Sequence, residues 1–266
     1  MKRTPLVVGL LAVVVLAGIA LPAQGQAVRL TYLYDNTVAN AETKPDWGFA
    51  CLVEGRGRTV LFDTGAKPLV LQHNLQALRI DVPRVQALVI SHDHGDHTLG
   101  AEGLAALPGL PVHVGEHFKL PPPFLAAIDR MGAKLVAGSI PRQVFPGFDL
   151  TAELVRSGIY EQALLVDTPE GLVVVVGCAH PGIVAMLRHV ADTKKRPIHA
   201  VVGGFHLLQT PADEVKAIIA EFKRLGVGWA GPTHCTGDEA IRMFREAYGN
   251  RFIAGGAGTV VNLPRS

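Results

Sequence analysis

Hydrophobic and polar positions change rhythm along the chain, and each change marks an element. After an apolar N-terminal run, "VRLTYLYDN" (28–36) alternates with a period of two. "FACLVEGRGRTVLFDTG" (49–65) reads as two strands about a Gly55-Arg56-Gly57 turn. Leu71, Leu75 and Leu78 share one face and predict a helix over 68–78. "VQALVIS" (85–91) is a short apolar strand, "TLGAEGLAAL" (98–107) a helix, "PVHVG" (111–115) a strand, and 121–131 a helix behind three prolines. The second half repeats the style. "FDLTAELVRSG" (148–158), "QALLVDT" (162–168) and "GLVVVVGCA" (171–179) read as strands, with a turn at 169–171. Pro181 opens a helix carrying Ile183, Val184, Leu187 and Val190, and "IHAVVGG" (198–204) is a strand. Thr210 is placed as the N-cap of a helix with Pro211 at its first position and a stripe of Val215, Ile218, Ile219, Phe222 and Leu225. "GVGWAGPT" (226–233) is a strand, Thr236–Glu239 has capping-box spacing, and "RFIAGGAGTVVNL" (251–263) ends the chain as strands.

Hairpins come first and strand–helix alternation follows, in both halves. That order predicts an α/β protein with two mixed sheets packed face to face and helices outside, a four-layer αββα sandwich. Residues 28–266 read as one domain, with no linker, repeat or low-complexity tract.

Composition changes the picture at the N-terminus. Lys2 and Arg3 precede an apolar run from Leu6 to Leu21, then Pro22 and small residues around Ala23–Ala27. This is the pattern of a secretory signal peptide over 1–27. It predicts export to the periplasm or beyond, with membrane attachment only if the segment stays uncleaved. The whole chain is 48% hydrophobic and formally +2. Residues 1–27 hold two of its 25 Lys+Arg and none of its 23 Asp+Glu, so the remainder is formally neutral. Nothing in that balance suggests nucleic acid. Three cysteines, Cys51, Cys178 and Cys235, make no disulfide framework. Cys51 reads as core and Cys235 as packing, because neighbours on a strand face opposite ways.

The candidate chemistry lies in "SHDHGDH" (91–97). Of eleven histidines, His92, His94, His97, His180, His206 and His234 each follow an apolar strand and sit by a Gly-rich turn. Buried polar groups without partners cost about 1–3 kcal/mol each, so something must hold them. In an extended segment His92 and His94 face one way, and Gly95 lets Asp96 and His97 turn toward a second cation. Imidazole and carboxylate suit Zn first, with Fe or Mn as alternatives. Asp93 faces away and is not assigned to metal. The segment 118–147, with "FKLPPPF" and Met131, is read as the source of the substrate pocket. Helix starts after His180 and after Thr236 suit an anionic group on a small-molecule substrate, though ordinary capping explains them as well.

H-x-H-x-D-H resembles the signature of the metallo-β-lactamase fold, in which it serves a dinuclear metal centre. "VLFDTG" resembles that family's strand-end aspartate segment, which implies that Asp63 orients ligands. "GPTHCTG" resembles its late histidine motif and implies His234 as a ligand. "EQALLV", "GCAHPGI", "GGFHLL" and "PTHCTGD" are similar to the branch typified by dihydropterin–ribofuranosylaminobenzene-phosphate synthase. No "GHTPG" is present, and "GLVVVVGCAH" takes the place of the usual bridging aspartate, with Cys178 where the acid would be. Glu161 is placed near the missing histidine. The expected metal ligands are therefore His92, His94, Asp96, His97, His180 and His234, with Asp63, Glu161 and Cys178 as orienting groups or further ligands. Asp96 and His206 are the expected catalytic groups. The leading expectation is an exported hydrolase that uses metal-activated water on an ester, lactone or phosphoester. The alternative that the branch implies is a transferase, in which a pterin diphosphate loses pyrophosphate to a ribofuranosylaminobenzene phosphate. A non-catalytic metal- or ligand-binding module is the third reading.

Overall fold

The computed structural model describes residues 27–263. All of the expected signal peptide but Ala27 lies outside them. No helix of the described residues is long and apolar enough to cross a membrane.

The first sheet is built from Val28–Tyr34 (β1), Ala50–Gly55 (β2), Arg58–Phe62 (β3), Ala87–Val89 (β4), Pro111–Val114 (β5) and Lys134–Ala137 (β6). The second comprises Arg142–Phe145 (β7), Phe148–Leu150 (β8), and, beyond the separate hairpin of Leu154–Arg156 (β9) and Ile159–Glu161 (β10), Leu164–Thr168 (β11), Gly171–Val176 (β12), Ile198–Gly204 (β13) and Trp229–Thr233 (β14). Val260–Leu263 (β15) returns to the first sheet, whose order is β15-β1-β2-β3-β4-β5-β6. The second runs β14-β13-β12-β11-β8-β7. Each sheet is antiparallel where the hairpins lie and parallel where strands alternate with helices, as in β3–β6 and β12–β14. The sheets are therefore mixed, as the rhythm of the sequence predicts.

Alternation along the strands builds the layers. Val173 and Val175 of β12 meet Tyr32, Val53, Phe62 and Val89 in a core between the sheets. Cys51 is buried there too. Leu172, Val174 and Val176 face the other way, onto the helices Ile183–Lys194, Ala212–Arg224 and Asp238–Tyr248. Leu52, Leu61 and Leu88 meet Pro68–Ala77 and Pro122–Met131 on the far side of the first sheet. The result is a four-layer αββα sandwich.

Several local expectations are corrected. The helix expected over 98–107 is one turn of α-helix at Gly95–Thr98 and a 3-10 turn at Leu99–Gly103. It begins inside the histidine motif. "FDLTAELVRSG" is split between β8 and β9, which belong to different sheets. In "RFIAGGAGTVVNL" only Val260–Leu263 forms a ladder strand. The helix after His180 starts at Ile183 with Gly182 as N-cap, so Pro181 lies outside it. Pro211, not Thr210, is the N-cap of its helix. Gly237 caps the last long helix, and Thr236 bonds Thr233 O and Phe205 N instead of forming a capping box.

Candidate metal centre

The strand ends of both sheets deliver the histidines to one place. β4 leads into Ser91–His97, β12 into Gly177–His180, β13 into His206 and β14 into His234. Rings of His92 and His94 lie 4.7 Å apart, His92 and His97 4.2 Å, His92 and His180 4.8 Å, and His97 and His234 5.1 Å between centroids. His206 joins through His180 at 4.3 Å. All six predicted histidines are thus brought together. Asp96 Oδ2 lies 3.3 Å from His234 Nε2 and 3.7 Å from His97 Nε2.

Hydrogen bonds behind the rings settle which nitrogen carries a proton. Asp63 is fully buried; its Oδ1 accepts from Ser91 N at 2.7 Å, and its Oδ2 accepts from Ser91 Oγ and from His97 Nδ1, each at 2.7 Å. Because the Ser91 proton goes to Asp63, Ser91 Oγ accepts from His92 Nδ1 at 2.8 Å. His234 Nδ1 donates to Asn36 Oδ1 at 3.0 Å. In each neutral ring Nε2 is then the lone-pair atom, as metal-ligating histidines require. The Nε2 atoms of His92, His180 and His234 are buried and have no hydrogen-bond partner among the described residues. Such orphaned acceptors are costly unless a cation completes them.

The Cys178 thiol is the shared member of the cluster. Donor atoms of His92, Cys178 and His180 lie within 4.8 Å of one another, and so do those of His97, Cys178 and His234. Cys178 Sγ is 3.2 Å from His97 Nε2. Imidazole, thiol and carboxylate around orphaned nitrogens fit a borderline cation such as zinc. Burial pushes the Cys178 thiol up; a cation inverts that, since a coordinating thiol deprotonates.

Electrostatics differ sharply between neighbours. Burial and the surrounding histidines hold His92 well below the ordinary imidazole value, and burial with His206 lowers His180 to about 3. Burial opposes protonation of His97 as well, but the Asp63 carboxylate overrides it and raises His97 to about 9. Burial also opposes ionisation of Asp96, yet the neighbouring His234 and His97 rings keep it below the carboxylate range.

Glu161 is no free donor. Its Oε1 accepts from the backbone N–H groups of Gly177, Cys178 and Ala179, and its Oε2 from His180 N at 2.8 Å. It holds the "GCAH" loop in place. Asp93 accepts from Lys119 N at 2.6 Å and stays out of the cluster, as expected. Cys235 is a correction: donor atoms of Cys178, His206 and Cys235 also lie within 4.8 Å of one another. The strand rule fails because His234–Thr236 is a 3-10 turn. Asp63, Ala179, His206 and His234 all have φ between 51 and 58°. That left-handed region costs a residue other than glycine roughly 1–2 kcal/mol, and such strain gathers at functional sites. Ser91 and Asn36 were not singled out in the sequence; the polar "DN" closing an alternating strand is the signal that could have found Asn36.

A cavity lies beside the cluster. It holds about 580 Å³, and His180, His206, Arg156 and Arg188 are among its lining residues. None of its lining residues comes from 118–147.

A family profile for the metallo-beta-lactamase superfamily matches residues 45–193. The 7,8-dihydropterin-6-methyl-4-(beta-D-ribofuranosyl)-aminobenzene-5'-phosphate synthase of Methanocaldococcus jannaschii is 27% identical, over 82% of this chain and 92% of its own. The solved structure of Tm1679, a metal-dependent hydrolase of the beta-lactamase superfamily, superposes with a TM-score of 0.74 at 28% identity, covering 88% of this chain and 98% of that one. YhfI from Bacillus subtilis, a metallo-beta-lactamase fold protein, shares the fold at TM-score 0.60 and 13% identity, over 88% and 99% of the two chains.

Proposed function

The chain belongs to the metallo-beta-lactamase superfamily, and from that premise we propose that it is a metal-dependent transferase acting on a diphosphate-bearing small molecule. The transfer reading takes its substrate class from the Methanocaldococcus jannaschii relative, whose name specifies a synthase of a phosphorylated pterin–aminobenzene product. The observation that carries it is the cavity of about 580 Å³, whose lining includes Arg156 and Arg188 together with His180 and His206. Guanidinium groups suit phosphate oxygens, to which they donate two parallel hydrogen bonds.

His92, His94, Asp96, His97, His180 and His234 would hold two divalent cations, with Cys178 as a further donor. Zinc fits this donor set first, and iron or manganese next. Bound there, such cations supply Lewis-acid polarisation and acidify water. The protein's own groups do the rest. Asp63 and Ser91 fix the tautomers of His97 and His92, and Glu161 shapes the loop carrying Cys178 and His180. Arg156 and Arg188 orient the phosphate groups; Arg188 is already braced by Glu221 at 2.8 Å. His206, exposed beside His180, moves the proton that the attacking amine loses.

Hydrolysis is the second reading, favoured by the likeness to Tm1679 and by the expected signal peptide, since export separates an enzyme from phosphorylated pathway intermediates. The test uses residues 28–266 loaded with zinc or manganese and supplied with a dihydropterin diphosphate. Pyrophosphate release that requires an added ribofuranosylaminobenzene phosphate supports transfer. Release without the second substrate, or turnover of simple phosphoesters, supports hydrolysis. A loaded protein inert to all of these overturns both. A mature N-terminus near Val28 in an exported fraction would weigh toward hydrolysis.

A further inference from the structure

His206 lies between two cavities. One is the arginine-bearing space described above. The other holds about 400 Å³ and is lined by Trp47, Leu208, Gln209 and Cys235, with His206, Thr210 and Glu214 common to both. Two large apolar side chains stand open at this second space: Trp47 is 47% and Leu208 58% exposed.

Trp47 is exposed on a backbone that cannot swing freely. Asp46 Oδ1 accepts from Trp47 N at 2.9 Å, Asp46 Oδ2 pairs with Lys67 at 2.8 Å, and Tyr34 OH donates to the same oxygen at 3.1 Å. On the other side Gly48 N donates to Asn36 Oδ1 at 3.2 Å. Gly48 has φ of 141°, and a Cβ there would lie 2.5 Å from Asp96 O. The loop is therefore locked onto the segment that carries Asp96. The indole ring itself rests against the His234 ring, with centroids 4.9 Å apart. A bulky aromatic held open by five fixed contacts, next to a candidate metal ligand, is a wall built for something planar. Gln209 and Glu214, both exposed at this cavity, supply donors and an acceptor for the edge of such a ring.

We propose that this second cavity is a ring-binding subsite, in which Trp47 and Leu208 sandwich a planar heteroaromatic ring while the phosphate groups of the reactants occupy the Arg156 side of His206. Trp47 is then a specificity-determining residue. The inference rests on the enzyme reading above and deepens it. Two organic pockets flanking one proton-moving histidine suit a reaction that joins two molecules, whereas hydrolysis needs only one.

The test measures binding, so it does not depend on turnover. Zinc-loaded protein is titrated calorimetrically with 6-hydroxymethylpterin and, separately, with pyrophosphate. Trp47→Ala is expected to weaken the pterin about tenfold, the loss that a base-on-aromatic stacking contact implies. Trp47→Phe restores most of it. Pyrophosphate affinity is unchanged in both variants and falls in Arg156→Ala, and each probe still binds when the other is saturating. Equal pterin affinity in wild type and Trp47→Ala, or mutual exclusion of the two probes, overturns the ring subsite. If pyrophosphate binds through Arg156 but the pterin does not bind at all, the subsite fails and the phosphate reading stands. If neither probe binds the zinc-loaded protein, the enzyme reading fails as well.

Discussion

Asp63 never touches the space where a cation would sit, yet its replacement by asparagine should disable two ligands at once. In the native chain both carboxylate oxygens accept, Oδ1 from Ser91 N and Oδ2 from Ser91 Oγ and His97 Nδ1. An asparagine that keeps its oxygen on Ser91 N must put its amide nitrogen in the place of Oδ2. That nitrogen donates. His97 then presents a lone pair at Nδ1 and carries its proton on Nε2, facing Cys178 Sγ at 3.2 Å. The Ser91 hydroxyl, now accepting from the amide, turns its proton toward His92 Nδ1 and forces the same exchange there. Restoring one metal-binding tautomer leaves two buried N–H groups face to face, at about 1–3 kcal/mol. Loss of an outer partner of a ligating histidine weakens metals about 10–100-fold, or about 1.4–2.7 kcal/mol, and the two figures agree. Competition against a chromophoric chelator at pH 8 measures it, with thermal melts as the folding control. Ser91→Ala, which frees His92 alone, should show a smaller loss. A folded Asp63→Asn protein with native zinc affinity would refute the tautomer reasoning.

Three further outcomes follow from the same geometry. Cobalt-loaded protein should show thiolate-to-metal absorption that Cys178→Ser abolishes and Cys235→Ser keeps; survival of the band without Cys178 would remove it from the ligand set. In the metal-free protein His97 is raised to about 9 from an ordinary 6.5, so its pairing with Asp63 stabilises fully below pH 6.5 and is lost as pH rises through about 9. The stability gap between wild type and Asp63→Asn, read from urea midpoints, should narrow across that window; a constant gap would contradict the pairing. Gly177→Ala places a Cβ 2.0 Å from Ser91 Oγ and 3.1 Å from His92 Nδ1. Overpacking of this kind costs about 1–3 kcal/mol, visible as a lower melting temperature together with weakened metal binding.

Much of the architecture is legible in the chain itself, because period-two and helical hydrophobic rhythms are local properties. The alternation in "GLVVVV" assigns Val173 and Val175 to one side and Val174 and Val176 to the other without reference to a partner sheet, and the two mixed sheets follow from hairpins preceding strand–helix units. "HDHGDH" at the end of an apolar strand points to a cation site by its density, and the alternation turns Asp93 away toward Lys119 N. Helix starts were misplaced by one or two residues, since Pro181 and Pro211 can precede a helix as readily as begin it. What tertiary structure decided are the relations across long separations. Glu161 turned out to hold the "GCAH" loop because four backbone N–H groups just past the end of β12 converge on it. Buried Cys235 comes within reach of Cys178 and His206 because a left-handed His234 breaks the alternation that strand logic relies on. Asn36 and Trp47 reached the site from an N-terminal loop, and a cavity lined by Arg156 and His206 opens beside it. Residue type and spacing specify which atoms want a cation. Only the packing of one sheet end against another decides which backbone groups and lone pairs meet there.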